Sequence, residues 1–203
     1  MDKSHDILFP LFLKLAGRVV LLVGGGPVAT SKGKSLAEAG AIVRLVTPLV
    51  TQELEAMAAE ETWEVRRREF SPGDLEGTWL VISAAPPEVN RAVSLAAEAR
   101  RLFVVAVDDP PSASAYGAGI VRRGDVTVAI STAGQAPALA GLLREGIAAL
   151  LPEDLPTWVD EARRLRPGWR AERLPLADRR PRLLEAINRL YPQMSAPLDS
   201  PHG

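Results

Sequence analysis

The stretch of residues 18–40 constrains the fold of this chain more than any other segment. Its β-branched apolar run, Val19–Val23, leads into three consecutive glycines and then into a helical pattern that ends near Gly40. The Gly-x-Gly-x-x-Ala spacing fits the dinucleotide fingerprint, whose glycines let the chain turn and a pyrophosphate approach the helix. Pro27 suits the first helical position, and Gly40 suits the left-handed residue that ends a helix. The stretch predicts a dinucleotide-binding βα unit, and the alternative is a glycine turn that packs without a ligand.

The glycine turn and the end of the next predicted strand contain the candidate cofactor contacts. Free N–H groups and the positive end of the helix dipole predict anion binding at the turn. The strand at residues 41–47 ends about twenty residues past the glycines, where an acid normally holds the ribose of NAD. No acid occurs there, so Thr47 is the candidate for a weaker hydrogen bond. Arg44 would suit a 2′-phosphate, but its mid-strand position favours a solvated side chain, and the choice between NAD and NADP stays open.

Further apolar runs complete the pattern of a parallel sheet. Residues 78–84 and 102–107 are nearly continuous in apolar character, as strands covered on both faces should be, while residues 63–70 alternate. Helical patterns separate these strands, and one of them begins after the expected N-cap Thr51. The alternation predicts an α/β fold with a Rossmann-like parallel sheet.

Two consecutive carboxylates, Asp108 and Asp109, follow the run at residues 102–107. In open α/β sheets, ligands lie beyond the carboxyl ends of the strands, so either carboxylate is placed to act as a general base. Spacing alone favours neither of them. Partial burial of its side chain would favour Asp108 as the general base. The alternative is a carboxylate that only caps the Pro-rich turn.

The pattern changes after the parallel strands. Residues 120–123 and 125–130 flank a turn at Gly124 and predict an antiparallel hairpin. Ser131 and Thr132 then precede a long apolar helix, and their hydroxyls suit N-capping and ligand contact about equally. This helix is more apolar than one small core needs, which favours a subunit interface.

The C-terminal part is helical and rich in arginine. Nine arginines stand against four acids between residues 161 and 190. This is typical of a solvated helical face, but it would also suit a polyanionic small molecule or a partner subunit. The chain is therefore expected to have three parts: a nucleotide-binding domain at residues 1–112, a central hairpin-helix dimerisation segment at 113–151, and a helical C-terminal domain at 152–203 with a disordered tail.

The composition excludes several classes of protein. A net charge of −1 and a pI near 6.2 give no basic field for nucleic acid. The chain has no cysteine, and its two histidines, His5 and His202, lie near the termini, so no metal site is expected. The apolar run at residues 7–13 is too short to span a bilayer and does not read as a secretory signal. We expect a cytoplasmic protein with no membrane or nucleic-acid partner.

Four longer motifs resemble one known family. They read LFPLFLKLAGRVVLLVGGGPVATSK, LVISAAPPEVN, VVAVDDP and VTVAISTAGQAPALAGLLRE. Together they look like the precorrin-2 dehydrogenase and sirohydrochlorin ferrochelatase family, the N-terminal module of siroheme synthase, over about residues 7–151. The resemblance implies a homodimer that uses NAD to oxidise precorrin-2, a tetrapyrrole, to sirohydrochlorin in siroheme or cobalamin synthesis.

The resemblance also implies roles for single residues. The NAD contacts of the family fall here on Gly24, Gly25, Gly26, Pro27 and Val28, and on Pro48 and Leu49. The essential carboxylate of the family corresponds to Asp108, and a serine that is phosphorylated in some members corresponds to Thr132. Because the substrate carries many carboxylates, Arg122 and Arg144 are candidate substrate contacts, together with Ser131 and Thr132.

The chain departs from the family pattern near the expected substrate cleft, with Ser31, Ala85 and Gly141 where arginine, threonine and arginine are common. Two alternatives stay open: an additional ferrochelatase activity, and a non-catalytic dimeric module that senses NAD. An ordinary short-chain reductase is disfavoured, because Tyr116 does not begin a Tyr-x-x-x-Lys pair.

Overall fold

The computed structural model describes residues 7–191 of the chain, and a five-stranded sheet organises the first part of it. All neighbouring strands are parallel, in the order β3-β2-β1-β4-β5. The strands are β1 (Val19–Val23), β2 (Ile42–Val46), β3 (Glu64–Arg66), β4 (Leu80–Ser83) and β5 (Val104–Ala106). This confirms the predicted Rossmann-like sheet. His5, His202 and the predicted tail at residues 194–203 lie outside the described residues.

Three helices connect these strands and cover both faces of the sheet. They are α1 (Pro27–Glu38), α2 (Gln52–Glu60) and α3 (Pro87–Glu98). Helices α1 and α2 pack with one set of strand side chains, including Val20, Leu22, Val43 and Leu45. Helix α3 packs with the alternate set, including Leu21, Val23, Val81 and Val104. Burial on both faces explains why β1 and β4 read as continuous apolar runs.

The helix ends follow the local signals of the sequence. Pro27 is the first residue of α1, and Gly40 follows its end with a φ of +68°. Thr51 caps α2, since its side chain accepts a hydrogen bond from the N–H of Leu54 at 3.3 Å. These predictions are confirmed.

Arg44 corrects one expectation, because it is not solvated. Its side chain is only 15% exposed, and Nε donates to the Glu64 carboxylate at 2.7 Å. Its Nη1 atom donates to the backbone carbonyls of Asp74 and Glu76, both at 2.8 Å. The guanidinium therefore connects β2 to β3 and to the segment after β3, and these contacts use three of its five N–H donors.

The third strand is shorter than the predicted run at residues 63–70, and the residues that follow it turn around the Asp74 carboxylate. This carboxylate is fully buried and accepts hydrogen bonds from Arg66 and Arg68 and from the N–H of Ser71. Burial raises the pKa of the Asp74 carboxyl, but the hydrogen bonds from Arg68, Ser71 and Arg66 outweigh it and hold the pKa well below its usual range.

The remaining elements are two short 3-10 helices (Pro72–Leu75 and Pro110–Ser112), a hairpin and three α-helices. The hairpin pairs β6 (Gly119–Arg123) with β7 (Val126–Ile130) in antiparallel register around Gly124, as predicted. The helices are α4 (Pro137–Leu150), α5 (Leu155–Ala171) and α6 (Leu176–Leu190). No helix within residues 7–191 has both the length and the apolar character needed to cross a membrane.

Contacts divide the described chain into two compact units. The first contains residues 7–118 and 131–137, and the second contains residues 119–130 and 138–191. Within the second unit, α4 packs closely on the hairpin, since a Cβ on Gly119 would lie 3.4 Å from the carbonyl oxygen of Ala140. The division into three domains at residues 112 and 151 stays a prediction.

Candidate functional site

The first two glycines of the turn are required by the protein's own packing. Gly24 has a φ of +114°, and a Cβ on it would lie 2.2 Å from the carbonyl oxygen of Ala84. A Cβ on Gly25 would lie 1.9 Å from the carbonyl oxygen of Leu49. Both distances are far below any contact between a side chain and a backbone oxygen. Glycine at these positions is thus explained without a ligand.

Gly26 differs from both, because a Cβ on it would meet nothing within 4 Å. It is the N-cap of α1, and its φ of −84° suits any residue. The open space lies directly before the first turn of a helix, where free N–H groups and the helix dipole favour an anion. Pro27 and Val28 are exposed beside it. The turn therefore fits the pyrophosphate of a dinucleotide at Gly26, the one of its three glycines that packing does not explain.

The segment after β2 folds over the glycine turn. The N–H of Thr51 donates to the carbonyl of Gly25 at 2.9 Å, and the Thr51 and Thr30 hydroxyls are 2.9 Å apart. Thr47 is 4% exposed and donates its hydroxyl proton to the carbonyl of Leu49 at 2.6 Å. That proton is occupied in this structure, so Thr47 shapes the loop, and its contact with a ribose stays a prediction. Pro48 and Leu49 are exposed.

Hydrogen bonds between strand ends place the turn and the aspartates on one edge of the sheet. The N–H of Ala84 donates to Val23 at 2.8 Å, and the N–H of Val107 donates to Ser83 at 2.9 Å. Only β4 separates the ends of β1 and β5. Two strand spacings, about 10 Å, therefore separate the glycine turn from the chain that enters Asp108.

A buried pair of polar side chains, missed in the sequence, holds the end of β4. Asn90 on α3 is 1% exposed, and its Oδ1 atom accepts the Ser83 hydroxyl at 2.6 Å and the N–H of Ala85 at 3.3 Å. The segment LVISAAPPEVN carried this pair, but only the fold shows that strand and helix bring the two side chains together.

The two aspartates have different environments. Asp108 is exposed, and its φ of +55° is in the left-handed region. Asp109 is half-buried, and its Oδ2 atom is buried with no hydrogen-bond partner in the described part of the chain. A non-glycine residue with positive φ carries backbone strain, although aspartate tolerates this region better than most residues. The role of Asp108 as a base stays a prediction.

Ser131 and Thr132 do not cap the helix that follows them. Helix α4 begins at Pro137, five residues beyond Thr132. The Thr132 hydroxyl accepts from the N–H of Ala136 at 3.2 Å, and the Ser131 hydroxyl accepts from the N–H of Ala133 at 3.1 Å. Both side chains order the loop before the helix, so the N-cap expectation is wrong. Their contact with substrate stays a prediction.

Arg122 and Arg144 belong to the second compact unit. Both are exposed, and Arg144 forms an ion pair with Glu145 at 3.2 Å. Neighbouring Arg123 is half-buried and donates to the carbonyl of Ala148 at 3.2 Å. Roles for Arg122 and Arg144 in substrate binding stay predictions. Within residues 7–191, no group of three or more histidine, aspartate or glutamate side chains is arranged to hold a metal ion.

The fold and the glycine turn define a dinucleotide-binding protein of the Rossmann class. A family model described as putative NAD(P)-binding matches residues 11–118, and one described as sirohaem biosynthesis protein, central, matches residues 123–150. The chain belongs to this NAD(P)-binding family of sirohaem-biosynthesis proteins. The resemblance drawn from the motifs is confirmed.

Curated relatives and a solved structure agree with this assignment. Siroheme synthase 3 of Aeromonas hydrophila is 41% identical over 172 residues, which are 84% of this chain and 37% of that protein. Siroheme synthase 1 of Aeromonas salmonicida is 44% identical over 147 residues, 72% of this chain and 31% of that protein. The chain thus spans about a third of the length of the curated relatives it matches. A structure described as SirC, precorrin-2 dehydrogenase, has the same fold, with a TM-score of 0.70 and 24% identity over 89% of each chain.

Proposed function

We propose that this chain uses NAD to oxidise precorrin-2 to sirohydrochlorin in siroheme or cobalamin synthesis. The observation that carries the proposal is the shared edge of the sheet, where an open glycine turn and the exposed Asp108 lie two strand spacings apart. Membership of the NAD(P)-binding family and identities of 41% and 44% to siroheme synthases support the substrate class. A cytoplasmic location stays a prediction.

Different residues of the chain would bind the cofactor, orient the substrate and remove the proton in such a reaction. The turn at Gly24, Gly25 and Gly26 and the first turn of α1 would hold the pyrophosphate, and the exposed Pro48 and Leu49 would contact the dinucleotide. When bound, NAD supplies the acceptor for the hydride. The oxidation removes one hydride and one proton from the macrocycle, so the protein has to orient the substrate and take the proton.

Asp108 is the proposed base. Its left-handed backbone turns an exposed carboxylate out at the carboxyl end of β5, whereas Asp109 directs one oxygen into the protein. A base has to reach a proton on the ligand directly or through one water. The exposed position of Asp108 satisfies this condition.

The test compares Asp108→Asn with Asp109→Asn in anaerobic mixtures of protein, NAD and precorrin-2. We expect the parent to convert the spectrum of precorrin-2 into that of sirohydrochlorin. Asp108→Asn should lower kcat by about 10²- to 10⁴-fold with an unchanged Kd for NAD. The second variant removes the same charge one residue further along and should keep most of the turnover.

Three results would count against these assignments. A parent protein that binds NAD and leaves the pigment unchanged would favour a sensing module and refute the dehydrogenase. Parent-like turnover by Asp108→Asn would remove this residue from the mechanism. A larger loss in Asp109→Asn than in Asp108→Asn would exchange their roles.

We also propose that α4 mediates a homodimer. No residue of this helix is buried, and Leu142 and Leu150 are 65% and 81% exposed. An exposed apolar face of this extent typically marks an interaction surface. In analytical ultracentrifugation we expect a dimeric parent and a monomeric Leu142→Glu variant. Leu95→Glu on α3 changes a leucine of 62% exposure and is the control, which should stay dimeric.

A further inference from the structure

Lys32 on α1 is a cation that the fold does not use. Its side chain is half-buried, yet in residues 7–191 it has no hydrogen-bond or ion-pair partner. Lys34, two residues further along the same helix, shows the contrast, since its ammonium lies 2.6 Å from the Glu53 carboxylate. A cation partly withdrawn from water without a carboxylate is in an unfavourable environment that an incoming anion relieves.

The Lys32 ammonium lies against the segment that follows the two aspartates. Its Nζ atom is 3.5 Å from the point that a Cβ on Gly117 would occupy, and apart from Gly117 and its two neighbours in the chain no other described residue has an atom within 4 Å of that point. The segment is held on β5, because the N–H groups of Ser114 and Ala115 both donate to the carbonyl of Val104 at 2.9 Å. Lys32 therefore reaches a fixed part of the chain that continues directly from Asp108.

The glycine turn does not account for the position of this ammonium. An α-helix rises 1.5 Å per residue, so the backbone of Lys32 lies about 9 Å along α1 from Gly26. The side chain extends to Gly117, whereas the pyrophosphate would lie at the start of the helix. The ammonium therefore lies away from the start of the helix, on the side of the first unit where the Asp108 segment runs.

We propose that Lys32 binds a carboxylate side chain of the tetrapyrrole and so orients the macrocycle toward Asp108. This inference rests on the proposed function and makes Lys32 a substrate-binding residue. A charge-assisted hydrogen bond from an ammonium to a carboxylate is among the stronger polar contacts, and a partly desolvated site strengthens it further.

The test uses Lys32→Met with Lys34→Met as the matched control. We expect Lys32→Met to raise the KM for precorrin-2 and the Kd for sirohydrochlorin by about tenfold, with kcat and the Kd for NAD much less affected. Lys32→Arg should restore part of the affinity, because the positive charge is kept. Lys34→Met should match the parent in all four constants.

Gly117→Asp tests the same site from the other side. The new Cβ would be in ordinary contact with the Lys32 ammonium at 3.5 Å, and the carboxylate would occupy it. We expect this variant to weaken sirohydrochlorin binding about as much as Lys32→Met, and the double variant to add little to either.

The outcomes separate this inference from the proposed function. Sirohydrochlorin binding that is equal in Lys32→Met and Lys34→Met overturns the inference, and so does a rise in the Kd for NAD without a change for the tetrapyrrole. A parent that binds no tetrapyrrole overturns it as well. Binding that depends on Lys32 in a protein that does not oxidise precorrin-2 supports the inference and refutes the dehydrogenase.

Discussion

Gly25→Ala should mainly destabilise the fold, whereas Gly26→Ala should mainly weaken cofactor binding, although the two glycines are adjacent. In Gly25→Ala, the new Cβ would lie 1.9 Å from the Leu49 carbonyl oxygen, whereas ordinary contact begins at 3.4 Å. The loop therefore has to move by more than an ångström. In Gly26→Ala, the new Cβ meets no protein atom within 4 Å, so the apoprotein can accept it unchanged.

The cost of Gly25→Ala follows from the contacts that the movement breaks. The Thr51 N–H donates to the Gly25 carbonyl at 2.9 Å, and the Thr47 hydroxyl donates to the Leu49 carbonyl at 2.6 Å. At about 1 kcal/mol for each hydrogen bond plus residual strain, we expect a loss of about 2–3 kcal/mol. For a chain of this size, the Tm falls by about 5–10 °C.

Gly26→Ala should instead affect the ligand. Alanine is a weaker N-cap than glycine, so we expect about 0.5 kcal/mol of destabilisation and a Tm within about 2 °C of the parent. The methyl group fills the space where the pyrophosphate approaches. At an NAD concentration of 100 times the parent Kd, the ligand stabilises the parent by about 2.7 kcal/mol, and a tenfold weaker variant by only about 1.4 kcal/mol.

Thermal melts of the parent and both variants, with and without NAD, measure these effects together. A Gly25→Ala protein that melts with the parent would refute the packing argument. A Gly26→Ala protein whose NAD-induced rise in Tm equals that of the parent would refute the placement of the pyrophosphate.

Two further predictions concern the aspartates. Asp74→Asn should lower the free energy of unfolding at pH 7 by about 2 kcal/mol, because Arg66 and Arg68 lose a charged acceptor. Since folding lowers the pKa of Asp74, its contribution to the free energy of unfolding is complete above about pH 5 and declines as the pH falls below the unfolded value of about 3.9. In urea unfolding, the difference in free energy between Asp74→Asn and the parent should therefore be smaller at pH 3 than at pH 7. Asp108→Gly relieves the left-handed strain, so its Tm should be no lower than that of the parent while turnover is lost; a clear fall in Tm would show that Asp108 supports the fold.

The βα unit was predictable because each of its signals is local. The run Val19–Val23, the glycines, Pro27 and the cap at Thr51 act within a few residues of their own positions, and propensity and capping rules describe such effects well. The apolar strands followed because burial on both faces gives a continuous apolar run. The four longer motifs identified the family.

What the sequence could not predict depends on partners far along the chain. The sequence predicts a solvated Arg44. In the fold it contacts Glu64 and the carbonyl of Asp74, which are 20 and 30 residues away along the chain. Residues 63–70 look like one strand in the sequence, but β3 ends at Arg66, and the side chains of Arg66 and Arg68 donate to the Asp74 carboxylate. Periodicity describes the alternation of side chains along a strand, but it contains no information about such a contact.

The same limit applies to the two aspartates. As letters, Asp108 and Asp109 are equivalent, and only the resemblance chose between them. The fold separates them through one backbone angle: the left-handed φ of Asp108 costs about 1 kcal/mol for a residue other than glycine. The turn that contains this strain leaves Asp108 exposed and buries one oxygen of Asp109. A glycine would make the turn without strain but without a carboxylate, so Asp108→Gly separates the contribution of the backbone angle from that of the side chain.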